Sequence, residues 1–167
     1  MSSASWWETK RLAMLLRKAR ITDVKGVHKL IMNTSADDGL VLPRSYNQLY
    51  SHLRDFFVMV DGADEGTVLG CCALAICWEN LAEVRSLVVA REARALGLGR
   101  KLVEACLSDA VTLGIYRVFA LTNTPDFFRH MGFTEVSKDT LPQKVWSDCL
   151  NCPRFPDCDE IALHMEL

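Results

Sequence analysis

The apolar positions of this 167-residue chain follow two rhythms, and the switches between them lay out its elements. Leu12 to Lys18 reads as a first strand. From Thr22, whose hydroxyl offers a cap, Val24, Val27, Leu30 and Ile31 return every three or four residues and predict a helix to about Asn33. Asp37-Asp38-Gly39 interrupts the chain. Pro43-Arg44-Ser45 then leads into a second amphipathic helix bearing Tyr46, Leu49, Tyr50 and Leu53. Phe56 to Asp61, Val68 to Trp78 and Ala82 to Val89 read as strands, separated by a turn over Gly62 to Gly66 and another at Asn80. The plainest helix follows, with Leu98, Leu102, Cys106, Ala110 and Leu113 spaced four, four, four and three residues apart, and Gly114 ends it. Tyr116 to Thr122 is a strand, Pro125 to Met131 a short helix with proline near its start, and Phe133 to Val136 and Asp159 to Leu167 are the closing strands. Strands on either side of segregated helices, with one strand–helix–strand crossover, indicate an α/β (α+β) fold in which a mixed central sheet carries helices on both faces.

Length argues for a single domain over residues 1–167, with a tail at 1–11 and a cysteine-containing loop segment at 142–158. Half the residues are apolar, enough for a core that needs no disulfide or metal. Nineteen Lys plus Arg against twenty-one Asp plus Glu give a formal charge of −2, which lacks the basic excess that phosphate-backbone contacts require, so nucleic acid is not an expected partner. Neither a secretory signal nor a membrane-spanning run is visible, and the expected location is the cytoplasm. Cys71, Cys72, Cys77 and Cys106 sit in apolar runs as reduced core thiols. Trp6, Trp7, Trp78 and Trp146 read as packing residues, and His28 and His52 as surface residues on helices.

The chemistry concentrates in Leu87-Val88-Val89-Ala90-Arg91-Glu92-Ala93-Arg94-Ala95-Leu96-Gly97-Leu98-Gly99, a strand passing through a short loop into a helix. Glycines at 97 and 99 let a ligand approach the backbone, while the first-turn amides point outward with the positive end of the helix dipole. That combination is a phosphate cradle. No Gly-Lys-Ser/Thr ending marks it as an NTPase loop and no third glycine completes a dinucleotide fingerprint, which leaves the diphosphate of coenzyme A.

These residues resemble the GNAT superfamily of acetyl-CoA-dependent N-acetyltransferases. Arg94 to Gly99 is similar to its Arg/Gln-x-x-Gly-x-Gly/Ala loop, Leu87-Val88-Val89 to the preceding strand, and Phe127-Phe128-Arg129-His130-Met131-Gly132-Phe133 to its aromatic-x-x-x-Gly-Phe segment, with Asn123 just ahead. The resemblance implies the GNAT acyl-CoA N-acyltransferase fold, acetyl-CoA as co-substrate, and a cofactor site made of Leu87, Val88, Val89, Arg94, Ala95, Leu96, Gly97, Leu98, Gly99, Arg100, Asn123, Phe127, Phe128 and Arg129. The backbone of Val88 and Val89 would pair with the pantetheine arm like an added strand. By the same resemblance Glu83 is the base that deprotonates the amine, with Glu79 as fallback; partial burial would raise the pKa of such a carboxylate. The family's usual tyrosine, which helps the departing thiolate, is Phe128 here, so a water, a backbone group or no acid serves the leaving group.

Around Leu42-Pro43-Arg44-Ser45 and from Lys144-Val145-Trp146 to Cys158-Asp159-Glu160 the chain is similar to the short, single-domain N-acetylglutamate synthases of arginine biosynthesis, which lack the amino-acid-kinase-like domain of the longer forms. The acceptor this implies is L-glutamate, acetylated directly in a ternary complex. Two carboxylates call for fixed cations, and the candidates are Arg44, Arg85 and Lys144. Another amino acid, a protein amine, or a non-catalytic acyl-CoA or metal sensor stays open as an alternative, as does a homodimer. Cys149, Cys152 and Cys158, with His130 or His164, have spacing reminiscent of a metal knuckle; only one ligand pair is present, and no metal is assigned.

Overall fold

Asp23 organises the start of the fold. In the computed structural model its buried carboxylate accepts both ends of the Arg17 guanidinium fork, at 2.6 and 3.1 Å, and the Arg20 N–H at 2.7 Å. The structure describes residues 13–38, 41–64, 66–142 and 158–167. The expected Thr22 cap is replaced by this arrangement: a 3-10 turn, Ile21–Asp23, precedes helix α1, Val24–Asp38. Helix α1 also continues five residues beyond Asn33 as a polar stretch without apolar markers.

The strands are β1 (Met14–Lys18), β2 (Phe56–Asp61), β3 (Val68–Trp78), β4 (Leu81–Val89), β5 (Arg117–Thr122), β6 (Thr134–Val136) and β7 (Ile161–Glu166). They form a seven-stranded sheet in the order β1-β2-β3-β4-β5-β7-β6. The sheet is mixed: β4 and β5 run parallel, while β1–β2, β2–β3, β5–β7 and β6–β7 are antiparallel. The remaining helices are α2 (Tyr46–Ser51), α3 (Leu98–Thr112) and α4 (Pro125–His130). This is the predicted α/β architecture. Among the described residues no helix is long and apolar enough to cross a membrane.

Packing divides the chain into two compact units, Met1–Ala73 with Ser86–Cys106 and Leu74–Arg85 with Leu107–Leu167. In the first, Val24, Val27 and Ile31 of α1 and Leu49 of α2 pack on Phe56, Val58, Val60, Cys71, Ala73 and Val88. A capping box starts α2: the Gln48 N–H donates to Ser45 Oγ at 3.2 Å and the Ser45 N–H to Gln48 Oε1 at 2.8 Å. The predicted long second helix breaks after Ser51 into a 3-10 turn, Leu53–Asp55. His28 is half-buried and stacks on Tyr46, ring centroids 4.0 Å apart, which ties α1 to α2; His52 is exposed as expected. Gly70 admits α3, because a Cβ there would lie 3.0 Å from Leu102 Cδ1 and 3.2 Å from the Val88 carbonyl oxygen.

In the second unit Leu81, Phe119, Leu141 and Ala162 form the core, with Cys77, Leu121 and Val136 packed against it. Cys71, Cys72 and Cys106 are fully buried free thiols, whereas Cys77 is only half-buried. Trp78 and Leu113, both expected to pack, are 58% and 52% exposed. Trp6, Trp7 and Trp146, the 1–11 tail, and most of the 142–158 segment lie outside the described residues.

Candidate active site

Strand β4 leaves the sheet through Ala90, whose N–H donates to the Leu69 carbonyl at 2.8 Å, and a 3-10 turn, Arg91–Ala93, carries the chain into the loop. There two residues lie in the left-handed region, Ala95 at φ +66° and Gly97 at φ +77°. Left-handed residues placed alternately along a loop turn successive N–H groups toward one concave side, the geometry of an anion nest. Gly97 is the N-cap: its carbonyl accepts the first helical bond, from the Lys101 N–H at 3.3 Å. The amides of Leu98, Gly99 and Arg100 precede that bond and have no acceptor within the helix. Burial of Leu98, Leu102, Val103 and Cys106 fixes the rotation of α3, whose 15 aligned peptides add positive potential at this end.

The predicted cradle residues Arg94 to Arg100 and the strand residues Leu87 to Val89 therefore fall together in the first unit, in one continuous turn of chain. Arg94 donates from Nε to the Val89 carbonyl at 3.2 Å and so ties the loop to the strand end. Arg100 is exposed and reaches Glu104 at 2.8 Å. Beside the loop, a cavity of about 440 Å³ opens between the polar face of α1 and Ala90–Arg94, lined by three cations, Lys29, Arg91 and Arg94, and by Asp37 and Glu92. Arg44, in the same unit, is half-buried on the extended stretch leading into α2.

The second unit holds the remaining candidates. Glu83 is half-buried on β4, paired in register with Phe119, and Arg85 lies two residues on, also half-buried. Glu79 is exposed in the β3–β4 turn. Asn123 and Phe127 are half-buried at the start of α4, and Arg129 is exposed, held by Asp126 at 2.6 Å and Glu135 at 2.7 Å. The hydrogen bonds to Glu135 and then Asp126 raise its pKa above the ordinary guanidinium value. Lys144, Cys149 and Cys152 lie outside the described residues; Cys158 is half-buried, its carbonyl accepting from Lys138 Nζ at 3.3 Å.

The aromatic-Gly-Phe segment has a structural role of its own. Gly132 is left-handed at φ +97°. Its N–H donates to the Arg129 carbonyl and the Phe133 N–H to the Phe128 carbonyl, both at 3.0 Å, which is the Schellman pattern of a helix end. The apolar contact that accompanies such an end is Phe128 against Phe133, rings edge to face at 5.2 Å, and Phe128 is 4% exposed.

A feature of β4 escaped sequence reasoning. Ser86 has φ +54°, a left-handed residue without glycine's freedom, in the middle of the strand. The buried positions Ala82, Val84, Val88 and Ala90 keep even spacing across it, so the hydrophobic pattern carries no trace of the distortion.

A mixed central sheet with β4 and β5 parallel, and an anion nest where β4 turns into α3, are the features of an acyl-CoA-type transferase. The chain belongs to the acetyltransferase (GNAT) family, whose sequence model matches residues 27–133; acetyl-CoA is the co-substrate of that family. It is 44% identical over 149 residues to an uncharacterized N-acetyltransferase of Chlorobaculum tepidum, covering 89% of this chain and 93% of that protein. It is 31% identical over 134 residues to the amino-acid acetyltransferase of Mycobacterium tuberculosis, covering 80% and 76%. Among solved structures, N-acetylglutamate synthase from Neisseria gonorrhoeae, complexed with coenzyme A and N-acetyl-glutamate, matches with a TM-score of 0.81 at 28% identity, over 92% of this chain and 35% of that one.

Proposed function

We propose that this acetyltransferase moves the acetyl group of acetyl-CoA to the α-amine of L-glutamate, the opening step of arginine biosynthesis. The observation that carries the co-substrate half is the nest at Ala95–Gly97 on the N-terminus of α3. The acceptor half is supported by the likeness to an amino-acid acetyltransferase over most of both chains and to a synthase whose structure holds N-acetyl-glutamate.

The reaction needs three things of the chain. The amides of the nest hold the diphosphate, and Arg94 to Arg100 supply the binding energy that fixes the thioester. Backbone groups of the Leu87–Val89 segment pair with the pantetheine arm, and an N–H of that segment beside Val88, whose own N–H bears on Cys71, faces the oxyanion. Glu83 takes a proton from the ammonium, directly or through water, and the amine then attacks the thioester carbon; the tetrahedral adduct collapses with loss of the CoA thiolate. No acyl-enzyme is required. Arg44, Arg85 and Lys144 are assigned to the two carboxylates of glutamate.

An acceptor panel tests this directly. Thiol release from acetyl-CoA is followed with glutamate, glutamine, the other amino acids and a peptide N-terminus. Glutamate should give the highest kcat/KM. Turnover confined to a different amine would overturn the acceptor assignment, and tight acyl-CoA binding without turnover on any amine would indicate a sensor.

A further inference from the structure

A buried thiol meets the backbone where β4 is distorted. Cys71, on β3 and fully buried, donates its thiol hydrogen to the Ser86 carbonyl at 3.4 Å. The Val88 backbone N–H bears on the same sulfur and lowers its pKa. One side chain thus joins the two backbone groups that flank Leu87, immediately after the left-handed Ser86 at φ +54°. A left-handed residue within a strand rotates the adjoining peptides out of the ladder, and buried peptide groups left without partners are costly. The thiol serves here as a donor to the Ser86 carbonyl while standing beside the Val88 N–H.

We propose that Cys71 is a positioning residue whose thiol staples the left-handed Ser86 segment of β4 and thereby orients the Leu87–Val89 backbone toward acyl-CoA. The functional half of this inference rests on the acetyl-CoA reading above; the staple itself does not. Burial pushes the Cys71 thiol up to about 12, against the lowering effect of the Val88 N–H and with a further rise from Cys106. The sulfur therefore stays protonated, and a donor, across the pH range in which an acetyltransferase works. Cys71 also packs against Val58, Val60, Ala73 and Val88 in the core, so the test must separate packing from hydrogen bonding.

Cys71→Val fills the space without a donor or acceptor, Cys71→Ala removes both without adding bulk, and Cys71→Ser keeps both hydrogen-bonding functions on a shorter arm. Amide exchange at Val88 is measured in each, together with KM for acetyl-CoA, KM for the amine and kcat. The expected result for Val and Ala is Val88 exchange faster by about tenfold, the factor set by one lost hydrogen bond of ordinary strength. KM for acetyl-CoA should rise by a similar factor, the amine KM should stay within about twofold, and Ser should recover most of the loss. Unchanged Val88 exchange in both Val and Ala variants would overturn the staple. Faster exchange with unchanged acetyl-CoA kinetics would overturn the positioning role. A wild-type protein that binds no acetyl-CoA would instead defeat the functional reading, and the exchange data would still decide the staple.

Discussion

Replacing Gly97 by alanine separates the fold's need for this residue from the ligand's. Gly97 lies at φ +77° and caps α3 with its carbonyl. An L-residue in that region costs about 1–2 kcal/mol, of which roughly 0.5 kcal/mol returns because alanine stiffens the unfolded chain. Gly97→Ala should therefore lose about 1 kcal/mol of stability, a fall of about 2–4 °C in Tm for a chain of this length. The ligand loses more. If the loop relaxes to escape the strained φ, the peptide planes from Ala95 to Gly99 rotate and their N–H groups leave the phosphate. Each hydrogen bond to a charged group carries about 1.5–3 kcal/mol, so CoA affinity should drop by about tenfold to a hundredfold. Titration calorimetry with CoA, beside a melting curve, reads both. Ala95→Gly is the matched control: Ala95 already sits at φ +66°, so glycine there relieves strain and should leave CoA affinity within about threefold. A Gly97→Ala protein that melts about 2–4 °C lower yet binds CoA as the wild type does would show that the loop is a turn and not a cradle.

Three further outcomes follow from other parts of the molecule. Burial raises the Asp23 pKa, but the hydrogen bonds from Arg17 and the Arg20 N–H and the charge of Arg17 outweigh it and leave a net lowering; the stability this confers is complete above about pH 4 and is lost as pH falls through the folded value. Asp23→Asn should cost about 3 kcal/mol at neutral pH, because Arg17 stays buried without its countercharge, and a Tm gap to wild type that fails to narrow below about pH 4 would refute the linkage. Glu83→Gln should lower kcat by about a hundredfold and remove the acid limb of the pH–rate profile, while a variant with normal turnover returns the base role to Glu79 or water. Arg44→Ala should raise KM for glutamate by about tenfold or more and leave that for acetyl-CoA within about threefold; equal rises would mark Arg44 as structural.

How far the sequence speaks depends on whether a feature leaves a mark in residue type. Strands β2 and β3 have the predicted bounds because Asp61-Gly62 and the residues to Gly66 mark their joining turn. The end of α3 was visible in Gly114, and the structure shows Gly132 closing α4 in the same way, since only glycine accepts φ +78° and +97° readily. Glycine likewise exposed the α3 cradle. What stayed hidden involves groups far apart in the chain or backbone angles in ordinary residues. The cap on α1 depends on Arg17 folding back onto Asp23, and no local pattern encodes that. Helix α1 runs on through Thr34 to Asp38 because propensity needs no apolar face once the helix is anchored. Ser86 and Ala95 adopt left-handed angles with side chains that announce nothing, and the Cys71 contact joins residues 15 positions apart.

The chemistry also explains why the chain can spend Phe128 on packing. The resemblance sets a tyrosine at this position as a proton donor to the thiolate, whereas here the ring closes the Schellman end of α4 against Phe133 and is 4% exposed. A thiol has an ordinary pKa of about 8.5, so its anion leaves within two units of neutrality without help. An amino group must first lose a proton that water at neutral pH does not readily take, and a protonated amine has no lone pair with which to attack. The demand on the protein is thus unequal: a base is worth more than an acid, and on the proposed reaction Glu83 on β4 is the group assigned to the larger need. The backbone meets the rest. Of the five positive-φ residues described, Ala95 and Gly97 fall within the segment assigned to the acyl carrier and Ser86 immediately precedes it, and strain of this kind persists only where surrounding packing over-determines it. Leu98, Leu102 and Val88, each nearly or fully buried, are the anchors on either side. On the proposed reaction, binding and orientation of the acyl carrier therefore reside in peptide groups held by a rigid core, while side chains hold the acceptor's carboxylates and move one proton.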